Sequence, residues 1–382
     1  MAVLRAGRPR TVSARVLRSL WWLSTIAVNG RAMATRIDAW LTQGFTHQRG
    51  SRPMCRIRVI QVGVGGMGRT WLKTVANSDQ VDFAAWVDID PSILDAQCRA
   101  YGFDPQHCYT SLSDALDRER ADGLLNVTPP QFHEEVSCAA FEVGLSVLSE
   151  KPLADSMEAA RRTVHCAERA GVVFMVAQNY RYSAVTAALR SLVASGRYGA
   201  PGQVHVSFYK GPHFGGFRER MDYPLIVDMS IHHFDLMRYI LGSDPVSVMG
   251  RSWNPQWSWF KGDASAALLF EFANGARVVY HGSWCATGDE TSWNANWHIE
   301  CEGGVIVLRG DRVFEAATGE TLREVALEPM ARRAQPYLLH EFYRALREGI
   351  TPSTCGRDNL KSLAMVFGAV EAVKTAAVVS LE

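Results

Sequence analysis

The chain has 382 residues with 40 basic and 39 acidic side chains, 47% hydrophobic and 21% charged residues. This is the make-up of a globular protein long enough for two domains, and no apolar run reaches the ~18 residues that cross a membrane. Residues 1–53 hold nine of the basic residues and one acidic residue, Asp38, so the rest is mildly acidic and unsuited to nucleic acid or an anionic membrane.

Residues 1–53 read as an extension. Arg-rich residues 1–18, the apolar Leu20–Val28 and Ala32-Met-Ala34 have the layout of a targeting leader. The blander expectation is an unstructured appendage or an upstream start, with the fold beginning at Met54. The eight cysteines form no C-x-x-C pair, and we expect reduced thiols and a cytoplasmic protein.

Residues 56–62 form a short β-branched run that reads as a strand. Gly63-Val-Gly-Gly-Met-Gly68 follows at once, and residues 69–76 have helical apolar spacing. In this G-x-G-x-x-G pattern Gly63 permits the turn, Gly65 admits a pyrophosphate and Gly68 lets helix and strand pack closely. With Gly66 and Met67 they form a loop whose helix N-terminus attracts phosphate. A second strand, 81–87, ends at Asp88, about 20 residues after Gly68, where an acid would grip the ribose hydroxyls.

Helices are predicted over 91–101, 111–119, 131–143 and 157–170, and strands over 107–109, 122–127, 145–148 and 172–176. This alternation is an α/β, doubly wound parallel sheet, a Rossmann domain spanning 54–178. Beyond it a helix over 184–195 leads to strands at 204–209, 266–272, 277–281, 297–301 and 305–308. Further helices cover 227–241, 336–347 and 356–377. Residues 179–382 therefore read as an α+β domain with a large, mainly antiparallel sheet.

Three motifs stand out: Thr128-Pro-Pro-Gln-Phe-His133, Glu150-Lys-Pro152, and Asp228-Met-Ser-Ile-His232 followed by Asp235. Gln178-Asn-Tyr-Arg181, Gly196-Arg-Tyr-Gly199 and the pattern Phe342, Gly349, Pro352, Asp358 accompany them. With the glycine loop, they resemble the glucose–fructose oxidoreductase / inositol dehydrogenase (Gfo/Idh/MocA) family over residues 55–378. The resemblance implies NAD(P)-dependent oxidation of a sugar, cyclitol or related polyol. It implies that Lys151, Asp228 and His232 line the substrate site, and that the open sheet of the second domain forms a homo-dimer or homo-tetramer.

The chemistry of these residues agrees. Alcohol oxidation needs a base for the hydroxyl proton, which suits His232. On a helix, Asp228 would share a face with His232, able to orient the ring, with Asp235 one turn on. Lys151, just past a parallel strand, would stabilise the reacting oxygen. Pro152 would fix the backbone there, in either peptide isomer. Besides the glycines and Asp88, the expected cofactor contacts are Thr128, Pro129, His133, Glu150 and Lys151. The expected substrate contacts are Lys151, Arg181, Arg218, His232 and His233. His133 could instead cap a helix, Arg181 could bind a helix C-terminus, and His233 could be structural.

No metal is expected, since Asp228, His232, His233 and Asp235 on one helix cannot all converge on one ion. The cofactor expectation is NAD over NADP, because a ribose phosphate would meet Asp88 and Asp90 with no Arg following Asp88. The loop 210–220 is expected to close over ligand. Trp253, Trp257, Trp259, Trp284, Trp293 and Trp297 are expected mostly at a subunit interface. Two other functions fit the same fold: a redox-neutral glycosidase that uses NAD transiently, and a non-catalytic NAD sensor.

Overall fold

A computed structural model of the chain describes residues 56–381. The expectations for residues 1–53 and for Met54 lie outside these residues. The first half runs β1 (Ile57–Val62), α1 (Gly68–Ala76), β2 (Val81–Val87), α2 (Pro91–Tyr101), β3 (Cys108–Tyr109), α3 (Leu112–Arg118) and β4 (Gly123–Asn126). It continues with α4 (His133–Glu142), β5 (Ser146–Ser149), α5 (Met157–Ala170) and β6 (Phe174–Val176). The strands pair in parallel in the order β3-β2-β1-β4-β5-β6. β1 lies between β2 and β4, so the winding reverses there and leaves a crevice beyond the carboxyl ends of β1 and β4.

The second half contains α6 (Ala184–Ala194), β7 (Pro201–Tyr209), a π-helical turn (Leu225–Met229), α7 (Ser230–Leu241), β8 (Pro245–Trp253), β9 (Ser265–Phe272) and β10 (Arg277–Ser283). It ends with β11 (Asn296–Cys301), β12 (Gly304–Arg309), β13 (Arg312–Ala317), β14 (Arg323–Glu324), α8 (Ala334–Glu348), α9 (Gly356–Thr375) and β15 (Val379–Ser380). The nine strands are ordered β14-β13-β12-β11-β7-β10-β9-β8-β15. All pair antiparallel except β7 with β10. Alternation places Val204, Val206, Phe208, Val278 and Tyr280 in the core, and Phe234 of α7 packs on Phe270 and Tyr280. His205, Ser207, Val279 and His281 take the alternate positions, which are only part-buried.

Three features differ from the sequence reading. β8 and β13 were not anticipated. β8 contains Gly250 and starts at Pro245, and it is held as a strand by its pairing with β9, a long-range partner that local pattern does not reveal. The helix expected over 227–241 begins as a π-turn, which changes the residue spacing around Asp228. Finally, α8 returns to the first half. Leu338, Leu339 and Phe342 join Ile57, Val59 and Trp71 in one apolar cluster. Phe342 covers Gly123, where a Cβ would lie 2.9 Å from its ring. The chain thus crosses back over the division expected at residue 178.

Trp284 and Trp297 are core residues of this chain (2% and 1% exposed), not interface residues, whereas Trp253, Trp257 and Trp293 are exposed. All seven cysteines among the described residues are free thiols.

Candidate active site

The glycine loop is held by its own polar contacts. Gln61, buried at the end of β1, donates from Nε2 to the carbonyls of Gly63 and Gly68, each at 3.0 Å. Gly63 has φ +90°, and a Cβ there would sit 2.5 Å from the Val127 carbonyl oxygen. A Cβ on Gly68 would lie 2.3 Å from the Gly63 carbonyl oxygen. Gly66 has open space where a Cβ would project, and Gly65 would meet only the Ile93 side chain at 3.5 Å. The N–H groups of Gly65, Gly66 and Met67 reach no protein acceptor among the described residues. A helix N-terminus with open space above it and free donors fits a pyrophosphate.

Asp88 stands where the ribose is expected. Its Oδ2 accepts from the Val64 N–H at 2.9 Å and its Oδ1 from the Asp90 N–H at 3.1 Å. The carboxylate is therefore set by backbone donors and keeps further lone pairs for hydroxyls.

Two expected cofactor contacts have other work. His133 is 1% exposed. Its Nδ1 lies 2.7 Å from the Pro152 carbonyl oxygen and its Nε2 2.8 Å from that of Thr128. Burial holds its pKa below the usual value, although both carbonyls act in the opposite direction. The neutral ring donates to one of these carbonyls and sits between the loops after β4 and β5, so both its nitrogens are occupied by protein atoms rather than the cofactor. Glu150 accepts from the Trp71 indole N–H at 2.7 Å and from the Lys151 N–H at 3.1 Å. Burial pushes its carboxyl up, with the Trp71 hydrogen bond opposing. It ties α1 to the Lys151 loop rather than offering its carboxylate to the cofactor. Thr128 lies on the loop after β4, its hydroxyl donating to Asn126 at 2.7 Å, and Pro129 is next to it. The Lys151–Pro152 peptide is cis.

Lys151 and the π-turn meet across the two halves of the chain. Lys151 Nζ donates to the Asp228 carbonyl at 2.9 Å and to Asp228 Oδ1 at 3.0 Å. Arg218 Nε donates to Asp228 Oδ2 at 2.7 Å. Burial raises the Asp228 carboxyl, but the two cations outweigh it and hold the pKa at about 2. An ammonium has three donors, so Lys151 keeps one for a substrate oxygen. The Arg218 guanidinium lies against Phe214 and Phe217 of the expected closing loop, 5.3 and 4.9 Å from their ring centres.

His232 does not pair with Asp228 as expected, because Asp228 is taken by Lys151 and Arg218. Instead the imidazole stacks on Tyr180, with ring centres 4.2 Å apart and planes 12° from parallel. Its Nδ1 is buried without a partner. Burial, followed by the charge of Lys151, holds its pKa well below the ordinary imidazole value. The ring is therefore neutral and able to accept a proton. The Tyr180 contact is not legible in the sequence, because stacking leaves no spacing signature. Its only signal was its place in the Gln178–Arg181 motif.

Arg181, expected to touch substrate, is 4% exposed and fully engaged. Its Nε and Nη2 bind Asp235 at 2.6 Å each, Nη2 also binds Asp358 at 2.7 Å, and Nη1 donates to the Ser353 carbonyl. Asp235 therefore belongs to a buried ionic cluster that pins α7 to α9, not to the Asp228 group.

His233 is likewise corrected from a substrate contact to a core residue. It is 0% exposed. Nε2 lies 3.0 Å from the Trp293 carbonyl oxygen and Nδ1 3.3 Å from the Tyr280 hydroxyl. Burial lowers its pKa to about 4, against roughly 6.5 in an unfolded chain. Between these values the unfolded chain binds more protons. The stability contributed by a neutral His233 is complete above about pH 6.5 and is lost on acidification, by about 3 kcal/mol near pH 4. Urea unfolding from pH 7 to 4.5 is expected to show a flatter pH dependence for His233→Gln than for the wild type. Parallel curves would refute this.

Comparison with known proteins follows the same lines. A family model described as the NAD-binding Rossmann fold of an oxidoreductase family matches residues 57–178, and a GFO/IDH/MocA C-terminal domain model matches residues 186–307. An uncharacterised protein of Sinorhizobium fredii is 31% identical over 83% of this chain and 93% of its own. D-apiose dehydrogenase of Paraburkholderia graminis is 26% identical over 81% and 86%. Inositol 2-dehydrogenase of Rhizobium meliloti is 25% identical over 83% and 97%. Among solved structures, an oxidoreductase from Agrobacterium radiobacter in complex with NAD+, L-tartaric acid and magnesium superposes with a TM-score of 0.78 at 22% identity, over 85% of this chain and 98% of that one. At this identity the likeness concerns the fold.

Proposed function

Since this chain belongs to the Gfo/Idh/MocA family of NAD-binding oxidoreductases, we propose that it moves a hydride between nicotinamide and a hydroxyl-bearing or keto carbon of a sugar, cyclitol or related polyol. The observation that carries this is the Lys151 ammonium, held by Asp228 just past β5, with neutral His232 close enough to feel its charge. NAD, when bound, supplies the hydride acceptor. Gly65, Gly66 and Met67 would hold its pyrophosphate and Asp88 its ribose.

Lys151 donates to the oxygen of the reacting carbinol and stabilises the charge that grows there. His232 accepts the hydroxyl proton, and Tyr180 keeps the ring in place while it does so. Asp228 anchors Lys151 and, lying near His232, favours the imidazolium once formed. The relatives named as D-apiose and inositol 2-dehydrogenases support the substrate class. We prefer NAD to NADP because Asp88 and Asp90 would repel a ribose phosphate. We also place self-association, as a homo-dimer or homo-tetramer, on the open face of the nine-stranded sheet.

The test is to incubate the enzyme with NAD and neutral polyols and follow NADH. Sustained NADH formation with at least one polyol is the expected result. Bound NAD with no turnover of any sugar or polyol would refute the proposal.

A further inference from the structure

The strand register brings several distant segments to one end of the nine-stranded sheet. Ser207, near the end of β7, pairs with Asn296 at the start of β11. Trp297 pairs with Leu308, and Arg309 at the end of β12 pairs with Arg312. The segment carrying Arg218 leaves β7 at this end, so the Gly310–Asp311 turn, the segment before β11 and the Arg218 loop share it.

Asp311 lies exposed in the turn at this end. Gly310 and Asp311 both have left-handed backbones, φ 55° and 59°, which Asp tolerates better than most side chains. Asn294 Nδ2 donates to Asp311 Oδ1 at 2.8 Å. The segment bearing Asn294 is pinned on both sides. The Trp293 carbonyl lies 3.0 Å from His233 Nε2 of α7, and the Asn294 carbonyl accepts from the Trp297 indole at 2.7 Å. Trp293 is 40% exposed, with the Lys210 ammonium 5.4 Å from its ring centre. This gives His233 a purpose: it fixes the Trp293–Asn294 segment to the helix that carries His232. Tyr180 touches both, stacked on His232 and edge-on to His233.

Three nearby cations are already paired. Lys210 pairs with Glu290, Arg218 with Asp228, and Arg312 with Glu324. Asp311 forms no ion pair among the described residues, and only its Oδ1 accepts a protein hydrogen bond. Burial and then the carboxylates of Asp228 and Asp311 raise the Tyr180 hydroxyl pKa.

On the basis of the dehydrogenase reading above, we propose that Asp311, supported by Asn294 beside the Trp293 ring, determines specificity by accepting hydrogen bonds from adjacent hydroxyls of a neutral sugar or cyclitol ring. The carbinol being oxidised faces Lys151 and His232, and Asp311 reads hydroxyls further round the ring. A carboxylate with free lone pairs suits two hydroxyl donors. An indole face suits the apolar face of a pyranose or cyclohexane ring. A substrate carboxylate would meet Asp311 with like charge.

The full chain is assayed with NAD and four probes: myo-inositol, D-glucose, D-glucuronate and D-glucosamine. Wild type, Asp311→Asn and Asp311→Gly are compared; both replacements tolerate the left-handed backbone. The expected result is wild-type turnover of a neutral probe. Both variants should then raise its KM about 10- to 100-fold, the worth of one or two charge-assisted hydrogen bonds. kcat should stay within about threefold and the KM for NAD should not move. Unchanged KM for the neutral probes in both variants would overturn the assignment, while wild-type turnover left the dehydrogenase reading standing. A wild-type preference for D-glucuronate or D-glucosamine over D-glucose would overturn the neutral-ring class. No NADH from any of the four probes would overturn this inference, and the wider polyol panel with NAD binding then decides the dehydrogenase reading separately.

Discussion

Changing Lys151 to methionine is expected to lower kcat for polyol oxidation by roughly 100- to 1000-fold, the range for losing a donor to a developing oxyanion. Methionine keeps much of the length and apolar stem of lysine and removes the charge. Two things go with it. The reacting oxygen loses the remaining ammonium donor, and Asp228 loses the 3.0 Å contact that anchors it toward β5. Arg218 still holds Asp228 Oδ2 at 2.7 Å, so the carboxylate is not stranded without a cation. The cofactor cradle is built separately, by Gln61, Gly63, Gly68 and Asp88. NADH affinity, read by fluorescence titration, should therefore change little. Near-normal kcat in this variant would remove Lys151 from the chemistry. A matched loss of NADH binding would show that it acts mainly on the cofactor.

Removing the base should cost about as much. His232→Asn is expected to reduce kcat/KM by about 100- to 10,000-fold, the usual contribution of a positioned general base. The pH profile gives a sharper check. In the proposed mechanism the reactive form of His232 is the neutral ring, and burial beside Lys151 moves its pKa well below the ordinary imidazole value. Activity should rise with pH through that lowered value and lie flat across neutrality. The acid limb should disappear in His232→Asn. A wild-type acid limb at or above the ordinary imidazole pKa of about 6.5 would contradict the desolvated ring.

Tyr180 bears on both experiments. No protein group hydrogen-bonds the His232 ring among the described residues, so its orientation depends on stacking and on packing around it. That leaves both nitrogens without a protein partner, Nδ1 buried among them, and without the carboxylate support that many catalytic histidines have.

Much of this protein was legible without coordinates, and particular residues show why. The glycine loop, Asp88 and the alternating first half follow from local rules: a turn requiring positive φ at Gly63, a helix N-terminus, and periodicity. Lys151, Asp228, His232 and Arg218 stand out by motif or loop position; the structure joins Lys151, Asp228 and Arg218 in one ion-paired group and stacks His232 on Tyr180 instead. The misreadings share one cause. Arg181, His133, Glu150 and His233 have the chemistry of site residues, but their partners are chosen by tertiary proximity. Glu150 is claimed by Trp71, His133 by the carbonyls of Thr128 and Pro152, and Arg181 by Asp235 and Asp358.

The amino-acid order alone determined the parallel sheet, the loop fit for a dinucleotide and the residues that the proposed alcohol chemistry uses. These depend on backbone geometry and side-chain type over short spans. Only the folded chain decided which groups neutralise one another. A spacing of four says that Asp228 and His232 can meet; it does not weigh Lys151, 77 residues away, or Arg218 against the imidazole as partners. In a buried site the nearer cations win the carboxylate, because an unpaired buried charge is costly. The histidine is left neutral and stacked, the state the proposed base requires.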